Sequence, residues 1–348
     1  MFDPSTVANW QSQLDPESTG ITVDYFEKDE RWINRRIAPV FSTGKRRASL
    51  MRYLAADALP TEGQRLLRAS GGTGIDLPTQ KPSRVEFFIN GGQLCSTVPQ
   101  EEVDEAEDNA KEQPYQVRSI MAGGFLNLEM ETRVAPYFLP VGSSRYPSVN
   151  ALFPAANLVT ASGNWQTYNP ATDAFIGPDI KGIVAAFDLT FGIKPNFGII
   201  DDITDTFFMD KLLKERNTTI AISSFQQGGD ILPSANGRVV AGMELLVPGS
   251  RSEGTPLDAV YSPTKVWGTF PYFIVGFSPT LGGQEWNKVG DCYVAQADYR
   301  RPGSLPFQTN RQPDPLFDKN HLTHMWWDFE RTEQVVKADL VMAIGPIR

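Results

Sequence analysis

The stretch 45–74, KRRASLMRYLAADALPTEGQRLLRASGGTG, constrains the fold most, because it is strongly basic and offers little from which a core could be made. Between Arg31 and Arg84 there are eleven Lys/Arg against three acids, a local balance of +8, in a chain whose formal net charge is -9. Two candidate strands, 46–54 and 84–89, are separated by a crossover containing ASGGTG and LPTQKPS, so the segment reads as a long two-stranded hairpin. With roughly 20 residues in each limb, at about 3.3 Å per extended residue, it reaches on the order of 50 Å. Isolated hairpins are marginally stable in water, so this one needs a surface to lie on.

The basic charge is local, and so is its partner. A chain of net charge -9 is repelled on average by nucleic acid and by anionic membranes. A nucleic-acid-binding protein using the basic 45–84 segment is the alternative of another class, and it calls for aromatic residues among the arginines; between Lys45 and Arg84 there is only Tyr53. With 348 residues, 41% of them hydrophobic, the chain can bury a substantial core in two or three lobes. Its two cysteines, Cys95 and Cys292, cannot make a disulfide framework and fit a reducing compartment, with a single bridge between them left open. The opening residues MFDPSTVANWQSQLDPESTG lack a basic and an apolar signal region, and no run of 18 apolar residues follows, so neither secretion nor membrane spanning is expected.

Residues 1–30 are polar, contain Pro4, Pro16 and Gly20, and read as an extended arm with at most a short helix around 5–14. Phe26, Ile33, Ile37 and Val40 place a short helix within 25–41 that ends before Pro39. Past the hairpin the charge reverses: EEVDEAEDNAKE, 101–112, holds seven acids and one lysine. In 114–139, Val117, Ile120, Met121, Phe125, Leu128, Thr132 and Ala135 fall at helical spacing, predicting a long amphipathic helix that starts at Pro114 and ends around Pro136. Gly123 and Gly124 inside it cost about 1 kcal/mol each relative to Ala and predict a bend or a close packing contact. The second half predicts a helix over 179–191, a buried strand over 197–200, and a further helix capped by Asp201 or Asp202. The α/β lobe continues through short strands at GMELLVP and YFIVGFSP, the chain closes with an alternating strand pair in TEQVVKADLVMAIGPI, and no internal repeat is present.

The motifs that could carry chemistry have plainer readings. SGGTGI, 70–75, is followed by Asp76-Leu77-Pro78 where a phosphate loop needs Gly-Lys-Ser/Thr, so it reads as a hairpin tip. His321 and His324, with Asp318 and Asp328 nearby, lack zinc-protease spacing and read as a surface turn beside a Trp-rich core strand. Met325-Trp326-Trp327 reads as a buried aromatic cluster, Cys95 as a lone thiol, and the paired carboxylates as solvated charge runs. No nucleophile elbow and no acid, base and nucleophile set is visible, so no enzyme and no cofactor are expected.

The order of polar arm, short helix, basic excursion, acidic link, long helix and α/β lobe resembles the tailed-bacteriophage major capsid proteins with the Hong Kong 97-type fold. RWINRRIAPVF followed by GKRRASLMRYL looks like the family's entry from N-arm into E-loop, and CSTVPQEEVDEAEDNA like the return into the spine helix. IKPNFGII with DDITDTFFMDKLL, VVAGMELLVPGSRS and SPTKVWGTFPYFIVGFSP look like axial-domain elements. The resemblance implies an α+β fold divided into an N-terminal arm (1–41), an extended E-loop hairpin (42–98) and a peripheral domain (99–164) with its spine helix at about 114–139. An α/β axial domain (165–320) follows, then C-terminal strands (321–348) returning to the peripheral domain. It further implies a virion protein, assembled in the host cytoplasm from hexamers and pentamers into an icosahedral shell that encloses double-stranded DNA without sequence-specific binding. Portal, scaffolding and decoration proteins are the partners it implies, with scaffolding either separate or absent, because no long helical segment precedes the arm. An encapsulin-type nanocompartment shell is the nearest alternative. The basic hairpin is then expected to lie on a neighbouring copy, with Arg46, Arg47, Arg52, Arg65 and Arg68 facing Glu101, Glu102, Asp104, Glu105, Glu107 and Asp108 of that copy.

Overall fold

The structure, a computed structural model, describes residues 13–14, 16–28, 32–52, 83–106, 113–140, 153–217, 233–234, 237–253, 263–281, 292–300, 308–313, 322–338 and 340–348. The helices are α1 (Pro16–Lys28), α2 (Asn34–Ile37), α3 (Gln100–Glu105), α4 (Gln113–Phe138), α5 (Ile176–Phe191) and α6 (Asp202–Asn217). The strands begin with β1 (Gln13–Leu14), β2 (Val40–Thr43), β3 (Arg47–Arg52), β4 (Ser83–Phe88), β5 (Asn90–Pro99), β6 (Leu158–Val159), β7 (Phe197–Ile199) and β8 (Pro233–Ser234). They continue with β9 (Gly237–Val240), β10 (Met243–Leu246), β11 (Arg251–Glu253), β12 (Pro263–Lys265), β13 (Phe273–Gly276), β14 (Val294–Tyr299), β15 (Gln308–Pro313), β16 (Leu322–Val335) and β17 (Val341–Ile344).

One sheet is built around β16, which is 14 residues long. Along 322–331 it is flanked by β5 and, over part of that length, by β15; β14 takes over from Arg331 to Val335, with β2 parallel on the outside of β14. Successive strand residues point to opposite faces, and Thr323, Met325 and Trp327 are buried while Asp328 is exposed. Met325 and Trp327 pack with Val98, Val103, Tyr115 and Ala122, so α4 covers that face. Helix α1 locks in beside it: the Thr22 hydroxyl donates to the Ser119 carbonyl at 3.2 Å and accepts from the Trp327 indole at 3.1 Å. The other face carries the exposed Gln93, Cys95 and Thr97, paired across strands with Asp328, Trp326 and His324.

The second sheet runs β6-β17-β13-β7-β10-β9-β8. Every residue of β7, β13 and β17 is buried, which is why these segments read as continuous apolar runs. The strands lie so close that a Cβ added at Gly276 would stand 2.4 Å from the Phe197 ring. Helices α5 and α6 join this lobe by caps placed in advance. Asp201 accepts the Thr204 amide at 2.8 Å, and Gly192 closes α5 at φ 68°, a left-handed conformation natural to glycine. At the amino end of α5, the buried Glu215 carboxylate takes the Phe175, Ile176 and Gly177 amides at 2.9, 3.0 and 2.8 Å.

Several expectations need correction. The arm is helical over Pro16–Lys28, with proline at its first position, where no amide partner is lost; the short helix expected around 5–14 falls mostly outside the described residues, and 13–14 is strand. The single helix expected within 25–41 is divided between the end of α1 and the one-turn α2. Helix α4 passes through Pro136 to Phe138, because Phe138 is drawn into the core against Phe197, Trp267 and Tyr293. Residues 321–348 do not return to one domain: β16 belongs to the first sheet, but β17 lies between β6 and β13 in the second. Strands β14 and β15, expected in the axial domain, pair with β16. His324 is in a strand rather than a turn, and the aromatic cluster divides by strand parity, Trp327 buried and Trp326 partly exposed on the other face.

Candidate assembly interface

Strands β3 and β4 pair antiparallel from Arg47↔Phe88 to Arg52↔Ser83, forming the root of the expected hairpin. Ala48, Phe87 and Ile89 bury against Cys292, Ala295, Ala297 and Val336, with Phe41 set edge-on to Phe87 at 5.0 Å. On the opposite side Arg47, Ser49, Arg84 and Glu86 accompany Phe88, which is 55% exposed. Residues 53–82, including Arg65 and Arg68, lie outside the described residues.

The basic residues at the root have partners within their own chain. Arg46 donates twice to Glu330, at 2.9 and 2.8 Å, and its guanidinium stands 5.9 Å from the centre of the Tyr299 ring. Arg47 bonds to Glu86 at 2.7 Å and lies over Phe88 at 5.1 Å. Both side chains are about 70% exposed, so a second carboxylate can still approach them. Arg52 ends β3. Sequence reasoning missed Glu330 because it follows Arg46 by 284 residues; the strand pairing, not a motif, brings them together.

The acidic partners are only partly where they were expected. Glu101, Glu102, Asp104 and Glu105 are exposed on α3, while Glu107 and Asp108 lie outside the described residues. Glu102 accepts from Arg118 of α4 at 3.1 Å, and Asp104 from Gln100 at 2.9 Å. The face of α4 also differs from its expected one. Tyr115, Ala122, Leu126, Met130 and Val134 are buried, but Val117, Ile120, Met121 and Phe125 are 46, 40, 47 and 54% exposed. Gly123, where a bend or close contact was expected, is helical and on the buried face.

Glu131 of α4 joins three parts of the chain. Its wholly buried carboxylate accepts the Ile33 and Asn34 amides at 3.4 and 2.9 Å and the Trp267 indole. Burial, partly offset by these donors, pushes its pKa up to about 7.

Arm, hairpin, long helix lying on one sheet, and a second α/β lobe make up an α+β fold. The chain has the Hong Kong 97-type fold, and the resemblance to tailed-phage major capsid proteins is borne out at that level. A phage-related protein of Bordetella bronchiseptica RB50 superposes with a TM-score of 0.58 at 13% identity, covering 97% of this chain and 98% of that one. The mature capsid of bacteriophage PhiM1 gives 0.46 at 11% identity over 89% and 86% of the two chains. The holo-SrpI encapsulin complex from Synechococcus elongatus PCC 7942 gives 0.47 at 10% identity over 100% and 96%. No protein-family model matches the chain, and no curated protein matches it in sequence.

Proposed function

We propose that this protein is a phage major capsid protein, self-assembling through its hairpin into an icosahedral shell of hexamers and pentamers that encloses double-stranded DNA. The observation that carries the reading is the hairpin itself. Its root is anchored by Ala48, Phe87 and Ile89 and carries the basic cluster Lys45, Arg46, Arg47 and Arg52, and residues 53–82, with three Lys/Arg against three acids, continue from it. Such an excursion gains stability from a neighbouring copy, and a contact between two different surfaces of one chain closes into rings when the rotation allows. Cys95 is exposed and Cys292 buried, and the two are not bonded to each other.

Electron microscopy of the expressed protein tests the proposal. Closed shells are the expected result, and a monodisperse monomer under all conditions would overturn it. Nuclease-protected DNA inside particles from infected cells separates a capsid from a protein-filled compartment. A chain with 53–82 replaced by a short turn is expected to fold and to remain unassembled.

A further inference from the structure

Strand β5 has an open edge. Its ten residues pair with β16 on one side, in a register that runs unbroken from Asn90 to Pro99, and among the described residues no strand pairs with the other side. Open edges of natural sheets are normally guarded by lysine, by an interior proline or by a bulge, because unpaired amides and carbonyls recruit further strands. Here there is no such guard: β5 contains no charged residue, and its one proline is its last residue. Charge stands just outside it at both ends, with Arg84 and Glu86 in β4 and Glu101 and Glu102 in α3.

The chemistry of this edge selects a second copy of itself. A neutral strand can lie antiparallel to its own copy with no like charges opposite one another. Residues of one parity turn their amide and carbonyl to the open edge, so like parity meets like parity and the two-fold axis passes through a residue. An axis through Cys95 sets Gln93 opposite the partner's Thr97, an amide beside a hydroxyl, on the exposed face. On the other face it sets Val98 opposite the partner's Gly92, where the Phe329 ring fills the space that a side chain would take; an axis through Leu94 would set Val98 against the polar Asn90. The axis through Cys95 also carries Glu101 and Glu102 toward the partner's hairpin root, where the side chains of Arg46 and Arg47 are about 70% exposed.

We propose that β5 pairs antiparallel with β5 of a second copy across a two-fold axis at Cys95, joining the first sheets of two subunits into one continuous sheet. The inference rests on the shell reading, to which it adds a symmetric contact. Main-chain hydrogen bonds supply the attraction, and the facing of Gln93 with Thr97 fixes the register. Such a contact closes on itself, so it links one copy to one other and leaves ring closure to the hairpin.

Cys95 reports on the pairing. Residues directly opposite in an antiparallel pair have Cα atoms about 4.5 to 5.5 Å apart, within reach of a disulfide. Copper phenanthroline under air takes two electrons and two protons from the paired thiols, and a non-reducing gel reads the covalent dimer. Cys292 is buried, so Cys95→Ser is expected to abolish that dimer. Gln93→Lys with Thr97→Lys sets lysine opposite lysine on both sides of the axis and is expected to lower the yield about 5-fold or more. Gln93→Lys with Thr97→Glu sets opposite charges there and is expected to keep it. Both positions are exposed, and lysine at 93 still faces Asp328, to which Gln93 now donates at 2.9 Å; thermal melts confirm that both variants fold. Equal yields from the two variants, or no dimer from the unaltered protein, would overturn the pairing. Electron microscopy of the same samples keeps the two failures apart: shells without the Cys95 dimer refute the pairing alone, and a Cys95 dimer without shells refutes the shell reading alone.

Discussion

Glu131 shows how one buried side chain can hold distant parts of a chain together. Folding raises its pKa from an ordinary 4.5 to about 7, chiefly by burial, so the folded state binds this proton more tightly than the unfolded chain does. Its contribution to stability is therefore complete below about 4.5 and lost as pH rises through about 7, by something on the order of 3 kcal/mol. Urea melts from pH 5 to pH 8 are expected to show that decline in the unaltered protein, and Glu131→Gln is expected to flatten it; parallel slopes would show that the carboxylate does not titrate there. Asp201 makes a local contrast. It caps α6 and also accepts from Arg348 at 2.5 Å, and Asp201→Ala should cost about 1 to 2 kcal/mol in a thermal melt. The cap at Asp201 could be read from sequence because its partner is three residues away. Glu131 and Glu215 could not, because their amide partners lie 97 to 98 and 38 to 40 residues off.

Helix α4 shows where periodicity stops being informative. Two sets of residues satisfy helical spacing: Val117, Ile120, Met121, Phe125, Leu128, Thr132 and Ala135, the set the sequence suggested, of which the first four are exposed and Ala135 is buried, and Tyr115, Ala122, Leu126, Met130 and Val134. The structure buries the other, because its face includes Ser119 and Gly123, small enough to sit against α1 and the sheet, and Glu131, whose bonding needs are met from elsewhere in the chain. The pair Leu126 and Phe125 tests this assignment. Leu126→Ala, at a residue 2% exposed, should cost about 2 to 5 kcal/mol, while Phe125→Ala should shift the melt little. Equal losses would place the helix the other way round. The hairpin strands, by contrast, were recognisable within two residues at each end, since alternation and the glycine-rich crossover are local signals. Strand β5 was missed because its exposed face, Asn90 to Thr97, is polar and contains two glycines.

Taken as one object, the chain sets a basic hairpin root and an acidic helix on a body of net negative charge. Reversing Arg46, Arg47 and Arg52 together to Glu is expected to leave folded subunits that assemble poorly, because the exposed pairs at the root add little to the fold while repulsion recurs at each copy of the contact. A thermal melt beside sedimentation separates the two effects: normal shells would dismiss the contact, and unfolded subunits would make the hairpin root part of the core. An α/β lobe in the second half was visible in the sequence, but the division of the strands between two sheets was not, since nothing local says that Ala343 of β17 pairs with Leu158. That late strand bears on how the protein is made. Strand β16 completes the first sheet and β17 the second, and both are synthesised after every other strand of their sheets. A chain abandoned by the ribosome before residue 322 lacks the central strand of one sheet and an inner strand of the other, so it has no finished surface with which to join a growing particle. On the proposed assembly such a fragment is expected to stay out of the particle, so coexpressing it with the complete chain should leave the yield of shells unchanged.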